Sequence, residues 1–332
     1  MRKSYFTAAA SAAALLLAPG ATLACACGCG IFDVGDDALM PNNANSGLAV
    51  WFRLAYMDQN QNWEGNHSAP ASDNGDKQIN TTFYFVGGQY VINRNWTVMA
   101  QLPVFDRALT TTDDGTVFGP AGTVYTGHDF NLGDLEMMAT YTGFSKDMST
   151  GVGFGVKAPT GDWHGPNGPL GGQEFDRDSL PGTGSTDLIV TAYHVGSLNA
   201  ANTLGYFVQG KYQFAVATQD QYRPGNELDA AVGVTYDLGS FGPFTKVAPV
   251  LQVLNSYRAH DSGANADLLN SGYERVLIDP GISVRVKKVR LDADVAIPMY
   301  QHTNAAPNLA LEGTSGQLVA GTLLKFQVTY DF

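Results

Sequence analysis

The chain has 332 residues, of which 15% are charged, and acidic residues outnumber basic ones by 31 to 19. This acidic balance argues against nucleic acid or a surface of anionic lipid heads as a partner. All three cysteines lie between residues 25 and 29, which excludes a secreted scaffold held together by disulfides along the chain.

The N-terminus has the pattern of a secretory signal. Two basic residues precede an apolar run of alanine and leucine, which Pro19 ends shortly before a stretch of small residues. The run is too short to span a membrane as a helix. We therefore expect an exported protein with a signal peptide over residues 1–24, cleaved after Ala24 or Ala26.

Residues 25–47 begin with the sequence CACGCG, which contains Cys25, Cys27 and Cys29. Signal peptidase II would leave Cys25 acylated, whereas signal peptidase I would leave two or three free thiols. Thiolates prefer soft or borderline ions, so a metal site for copper or zinc is one interpretation of these cysteines. A lipid anchor and a disulfide between Cys27 and Cys29 are the alternatives, and the sequence leaves all three open.

From residue 48 onward, apolar and polar residues alternate with a period of two. The C-terminal stretch GQLVAGTLLKFQVTYDF keeps this alternation over about fifteen residues, which is far longer than an ordinary strand. Eleven further segments repeat the pattern, the one at 78–92 least cleanly. The twelve predicted strands lie near 48–57, 78–92, 95–104, 133–143, 148–158, 185–196, 203–214, 227–239, 246–257, 273–287, 289–300 and 316–332.

The connections between these strands are alternately short and long. Short turns at one end and long polar loops at the other, with an even strand number, are typical of a bacterial outer-membrane barrel. A soluble β-sandwich has shorter strands and less regular connections. We predict an all-β fold, a transmembrane antiparallel up-and-down β-barrel of about 12 strands over residues 48–332, surrounded by outer-membrane lipid. Its terminal Phe332 suits the recognition signal of the barrel-assembly machinery.

If the apolar face of each strand meets lipid, the other face lines the lumen. The predicted lumen-lining residues carry both signs of charge: Arg53, Asp134, Glu136, Lys157, Lys211, Asp229, Asp237, Arg275, Asp279, Arg285, Arg290, Asp292, Asp294 and Lys325. Twelve strands enclose more space than a packed eight-stranded barrel and less than a sixteen-stranded porin. A narrow polar path and a lumen filled by paired charges both stay open, and residues 25–47 are a candidate periplasmic plug.

The long loops hold most of the acidic residues and five of the six histidines. A calcium-binding exterior and a solvated acidic surface both fit this composition. A barrel hydrolase needs a nucleophile and a base within hydrogen-bond reach. His194, the one histidine within a predicted strand, has the parity of the lipid face, and no serine stands out as its partner. We therefore expect no enzymatic activity.

Two segments, NLGDLEMMATYTGFSKDMSTGVGFGVKAPTGDW and PGTGSTDLIVTAYHVG, carry a recognisable pattern. Over residues 131–196 the chain resembles the outer-membrane barrels assigned to the meta-pathway of phenol degradation, which share GLGD…G…K.PTG…GTGS.D. The matching positions are Gly133, Asp134, Lys157, Pro159, Thr160, Gly161, Gly182, Thr183, Gly184, Ser185 and Asp187. The resemblance implies a transporter of small aromatic or hydrophobic molecules.

The sequence thus predicts an outer-membrane channel that passes a small solute. The alternative function is a metal-binding or structural barrel that acts through its N-terminal thiols and acidic loops.

Overall fold

The computed structural model describes residues 35, 40, 47–112, 120, 122–165, 175, 177–268, 270–305 and 316–332. The predicted signal peptide and the three cysteines lie outside this part of the chain. Within it, no helix is long and apolar enough to cross a membrane.

The described chain is a succession of antiparallel strands, with one short 3₁₀ helix at Ala71–Asp73. The strands are β1 Gly47–Glu64, β2 His67–Ser68, β3 Asp76–Asn93, β4 Trp96–Thr112, β5 Val124–Leu132, β6 Leu135–Tyr141, β7 Thr150–Ala158, β8 Thr186–Ser197, β9 Leu204–Ala217, β10 Glu227–Tyr236, β11 Lys246–Arg258, β12 Tyr273–Val286, β13 Val289–Thr303 and β14 Gln317–Asp331.

These strands form one closed sheet. The first strand pairs with the last, from Ala49 opposite Asp331 to Trp63 opposite Gln317. Strands β5 and β6 pair with different halves of β4 and so share one place in the wall, and β2 only extends the hairpin of β1. The wall therefore has twelve strand positions. Among the described residues, each of these twelve positions pairs with a neighbour on both sides, as hydrocarbon requires, and the predicted fold class is confirmed.

The alternation in the sequence becomes an alternation of exposed and buried side chains. In β10, Leu228, Val232 and Val234 are exposed, while Asp229 and Ala231 between them are buried. The other strands repeat this outward row of exposed valine, leucine, phenylalanine and tyrosine. A contiguous apolar belt of this kind on a closed barrel is the surface that meets lipid.

Aromatic side chains border the belt at the end with short turns. Trp96 and Tyr141 have ring centroids 5.1 Å apart, and Phe144 packs edge-on against Tyr141 at 5.0 Å. Such girdles sit at the membrane–water interface. Together with the apolar belt and the closed wall, they place the protein in the bacterial outer membrane, as predicted.

The stretch predicted as a loop over 105–132 is largely a hairpin. Strand β4 continues to Thr112 and β5 returns from Val124. On its outer face, His128 Nε2 lies 2.7 Å from Asp106 Oδ1. Both faces of this extension carry polar side chains, so the strand continues without the apolar alternation that marked the membrane part.

The interior is more apolar than the polar lumen that the sequence predicts. One buried cluster runs across the inside of the barrel and comprises Ala55, Met57, Phe83, Phe85, Met138, Phe207, Ala231, Val250, Leu254, Leu277, Ala296, Ala320 and Leu323. Charged pairs lie among and around these side chains. The interior is thus mixed, with apolar surface available to a solute.

Candidate solute cavity inside the barrel

The structure buries most of the predicted lumen-lining residues on the inward face of the wall. Arg53, Asp134, Lys157, Lys211, Asp229, Arg275, Asp279 and Arg290 are buried, and Glu136, Asp292, Asp294 and Lys325 are partly buried. Asp237 and Arg285 are half exposed at the end with the short turns, where they face Lys246 and Asp331. That these residues line a permeation path stays a prediction.

Two ion-pair clusters organise these charges. Towards the long loops, Lys157 Nζ lies 2.9 Å from Asp134 Oδ2 and 3.1 Å from Asp187 Oδ2. Beside it, Lys211 Nζ on β9 lies 3.1 Å from Glu136 Oε1 on β6, a contact that reaches past two intervening strands. Opposite charges are therefore largely matched within the protein, which lowers the cost of burying them.

The second cluster lies towards the short turns. Lys325 Nζ is 2.8 Å from Asp279 Oδ2 and 2.8 Å from Asp294 Oδ1. Arg290 Nε is 3.2 Å from Asp292 Oδ2. The sequence leaves open a lumen filled by paired charges, and here Lys325 pairs with two of the three aspartates, Asp279 and Asp294.

Above the first cluster lies a cavity of about 160 Å³. Its apolar lining comprises Phe83, Phe85, Pro103, Phe105, Leu180 and Pro181. Its polar lining comprises Gln101, Asp134, Glu136, Lys157, Thr183, Asp187, Lys211, Gln213 and Asp229, with Asp178, Tyr222, Pro224, Gly225, Glu227 and Arg258 nearer the loops. An apolar cavity of about 150 Å³ holds a benzene molecule in other proteins, so this volume suits a single ring.

Inward-folded loops cover the outer side of the cavity. Phe175 packs into the barrel mouth against Ile79, Leu109 and Leu318. In the next loop, buried Tyr222 donates through its hydroxyl to Asp261 Oδ2 at 2.7 Å. Burial raises the pKa of Tyr222 well above its usual value, so the hydroxyl keeps the proton that it donates.

The same carboxylate fixes a second loop element. Arg258 Nη2 lies 2.7 Å from Asp261 Oδ1, and the Gly225 amide donates to the same oxygen at 2.7 Å. The loops after β9 and β11 are thereby joined around one buried carboxylate.

Two residues of the predicted plug segment lie inside the barrel. The Gly35 amide donates to Oε1 of buried Gln209 at 3.0 Å. Met40 packs against the interior apolar cluster, and its carbonyl accepts from Gln89 Nε2 at 3.4 Å. The wall thus holds the chain at both points.

The described residues show no group of three histidine, cysteine or acidic side chains placed to hold a metal ion. Cys25, Cys27 and Cys29 fall outside them, as do Asp113, Asp114, Glu174 and Asp176 of the loops. The copper or zinc site therefore stays a prediction. His194 is exposed on the outer face, as its parity predicts, where its ring nitrogens lie 2.8 Å from Thr150 Oγ1 and 3.1 Å from the Tyr206 hydroxyl.

Part of this site could not be predicted from the sequence. Phe83, Phe85 and Phe105 form its apolar wall, but only the irregular alternation of 78–92 hinted that β3 is apolar on both faces. Asp187 stands in the quoted motif, but the motif itself does not indicate a place in the cavity. Arg258 lies at the end of a strand among loop residues and carried no signal of burial.

The chain is similar to known proteins in its fold but not in its sequence. No family model matches the chain, and no curated protein does. The barrel is similar to the crystal structure of an outer membrane channel of Pseudomonas putida F1, with a TM-score of 0.63 and 10% identity over 90% of this chain and 100% of that one. This likeness shows the fold of an outer-membrane barrel.

Other solved barrels are less similar. The beta domain of the Bordetella autotransporter BrkA gives a TM-score of 0.47 at 9% identity, covering 86% of this chain and 100% of that one. The CymD monoaromatic hydrocarbon channel gives 0.44 at 10% identity, covering 91% and 94%. At these scores neither carries an argument about the present chain.

Proposed function

We propose that this outer-membrane barrel is a channel for a small solute with a hydrophobic or aromatic body and a polar group. The observation that carries the proposal is the cavity whose lining combines three phenylalanines with charged and amide groups. Ligand sites of this kind combine apolar walls with a few placed polar groups. The same fold serves an outer membrane channel in Pseudomonas putida F1, which supports the assignment.

The chemistry of the cavity sets what can stay in it. A ring against Phe83 and Phe105, whose own centroids are 5.1 Å apart, gains aromatic contacts of about 0.5–1.5 kcal/mol beyond its buried area. A hydroxyl or carbonyl on that ring faces Gln101, Gln213 and the lysine cluster. Binding of this modest strength lets a solute enter and leave, as conduction requires.

The interior charges also argue against catalysis. Lys157 is held between two carboxylates, and a lysine that is ion-paired on both sides is a poor general base. The outer position of His194 separates it from every polar group of the cavity. We therefore assign the protein no enzymatic role.

The cavity proposal is tested by block and by substitution. A single-ring alcohol such as benzyl alcohol is expected to reduce ion current through the reconstituted barrel when it occupies the cavity. The double substitution of Phe83 and Phe105 by alanine should weaken this block by roughly tenfold or more, because two aromatic contacts are lost. Planar-bilayer conductance titrations give the affinity.

Phe207→Ala is the matched control, because Phe207 is buried inside the same barrel but does not line the cavity. Equal loss of block in the control and in the double variant would contradict the cavity as the binding site. An absence of both conductance and aromatic uptake in the native protein would contradict the channel itself.

We also propose that residues 25–47 form a periplasmic plug that follows a cleaved signal peptide of residues 1–24. The contacts of Gly35 and Met40 with interior side chains support this division. Deletion of residues 30–46 is expected to raise single-channel conductance at least about twofold, since chain is removed from the lumen. Unchanged conductance from a folded deletion variant would contradict the plug.

A further inference from the structure

The residues of the quoted glycine motif meet at one place in the wall. They lie where β5 gives way to β6, at the end of β7 and just before β8. Just before β8 the chain reaches over the cavity, and residues 179–185 form what we call the cap. Leu180, Pro181 and Thr183 of the cap line the cavity directly.

Asp134 accepts four hydrogen bonds, two of them from the cap. Its buried carboxylate accepts from the Thr183 amide at 3.0 Å, the Thr183 hydroxyl at 2.8 Å, the Gly161 amide at 3.0 Å and Lys157 Nζ at 2.9 Å. Three of these donors belong to the segment between β7 and β8. Charge-assisted bonds of this kind are about twice as strong as neutral ones.

Three glycines bring the backbones close enough for those bonds. A Cβ atom added to Gly161 would lie 2.7 Å from the carbonyl carbon of Gly133 and 2.8 Å from Cα of Gly182. A Cβ atom on Gly182 would lie 2.4 Å from the carbonyl carbon of Gly161. These contacts are with backbone, which cannot move aside cheaply, so only glycine fits.

Two arginines also hold the cap, Arg107 at Ser179 and Arg177 at the end that Asp134 contacts. Buried Arg107 donates through Nε to Thr81 Oγ1 at 2.9 Å and through Nη1 to the Ser179 carbonyl. Arg177 donates to the carbonyls of Gly182 and Thr183 at 3.3 and 2.8 Å. Polar contacts with the barrel wall thus hold the cap at both ends, at Ser179 and at Thr183.

We infer that Asp134 is a latch: it holds the cap across the outer mouth of the cavity, and release of its bonds opens the cavity to the cell exterior. This gives the motif a positioning role in access rather than in solute recognition. The inference rests on the proposed function in one respect: the opened cavity is taken to be part of the path of the solute.

The test measures access to the cavity directly and without transport. In a chain whose three native cysteines are serine, Gln101→Cys places a thiol at a buried position of the cavity wall. A membrane-impermeant maleimide added to whole cells reports how often that thiol is reachable. Adding Asp134→Asn, which removes the negative charge and leaves one accepting oxygen for four donors, should speed labelling about tenfold.

Two companion variants separate a latch from general loosening. Gly161→Ala keeps every charge but forces the backbones apart, and it should also speed labelling. Asp292→Asn makes the same chemical change in the cluster near the short turns, where Asp292 pairs with Arg290, and should leave labelling unchanged. Heat-modifiable migration in gels confirms that each barrel is folded.

The outcomes are distinct. Labelling of folded Asp134→Asn at the parental rate, or an equal rise in Asp292→Asn, overturns the latch. Faster labelling in Asp134→Asn and Gly161→Ala alone supports it. If labelling rises in that pattern while native and variant barrels neither conduct nor take up aromatic solutes, the latch stands and the proposed channel function fails.

Discussion

Replacing Lys325 with methionine is expected to lower the free energy of unfolding by about 3–5 kcal/mol. Its ammonium lies 2.8 Å from both Asp279 and Asp294, and the side chain of Asp279 is fully buried. Methionine fills a similar volume but leaves two carboxylates near each other without their shared cation. Reversible urea unfolding in phospholipid vesicles measures the loss.

Lys246→Met provides the control for this prediction. Lys246 lies 3.6 Å from Asp237 near a short turn, and 51% of its side chain is exposed. An exposed pair of this kind contributes about 0–1 kcal/mol, so the control should be nearly neutral. Similar losses in the two variants would show that Lys325 is not the centre of a buried cluster.

A charged side chain on the lipid face, at mid-height of the wall, should lower the free energy of unfolding of the barrel. Val232 lies in the middle of β10 and is 56% exposed on the outer face. Val232→Arg is expected to destabilise the barrel by about 2–4 kcal/mol, because the guanidinium must enter hydrocarbon. The same unfolding assay in vesicles measures the effect.

Leu228 supplies the matched position on the same face of the same strand. It lies near the end with the long loops and is 45% exposed. Leu228→Arg should cost only about 0–1 kcal/mol, because the side chain reaches the interface. A cost that does not depend on position along β10 would be inconsistent with a membrane around this wall.

The barrel itself was accessible from the sequence because lipid imposes one rule on every strand. Each outward position must be apolar, so the alternation of Leu228, Val232 and Val234 with inward residues could be read without any knowledge of pairing. In the part of the barrel that extends beyond the membrane, outward side chains need not be apolar. The sequence therefore predicts a loop where the structure has the hairpin of β4 and β5, with Asp106 and His128 outward.

The interior was harder to predict, because parity shows only which side chains share a face. It placed Lys325 and Asp294 inside, but it could not show that they meet, since their strands must first be paired and in register. Phe83 and Phe85 point inward but are apolar, as residues on the lipid face are, so the apolar–polar alternation could not show which face they belong to. The cap of residues 179–185 depends on loop conformation, for which no periodic signal exists.

The pairing of β1 with β14 has a consequence for how the protein is made. Each other wall position is next to its neighbour in sequence, so the meander can grow hairpin by hairpin from local contacts. The seam between Ala49 and Asp331 is the exception, because almost the whole chain separates its partners. Chain-closure entropy disfavours that contact until the intervening strands are ordered. Sealing of the cylinder therefore waits until β14 is in place beside β1.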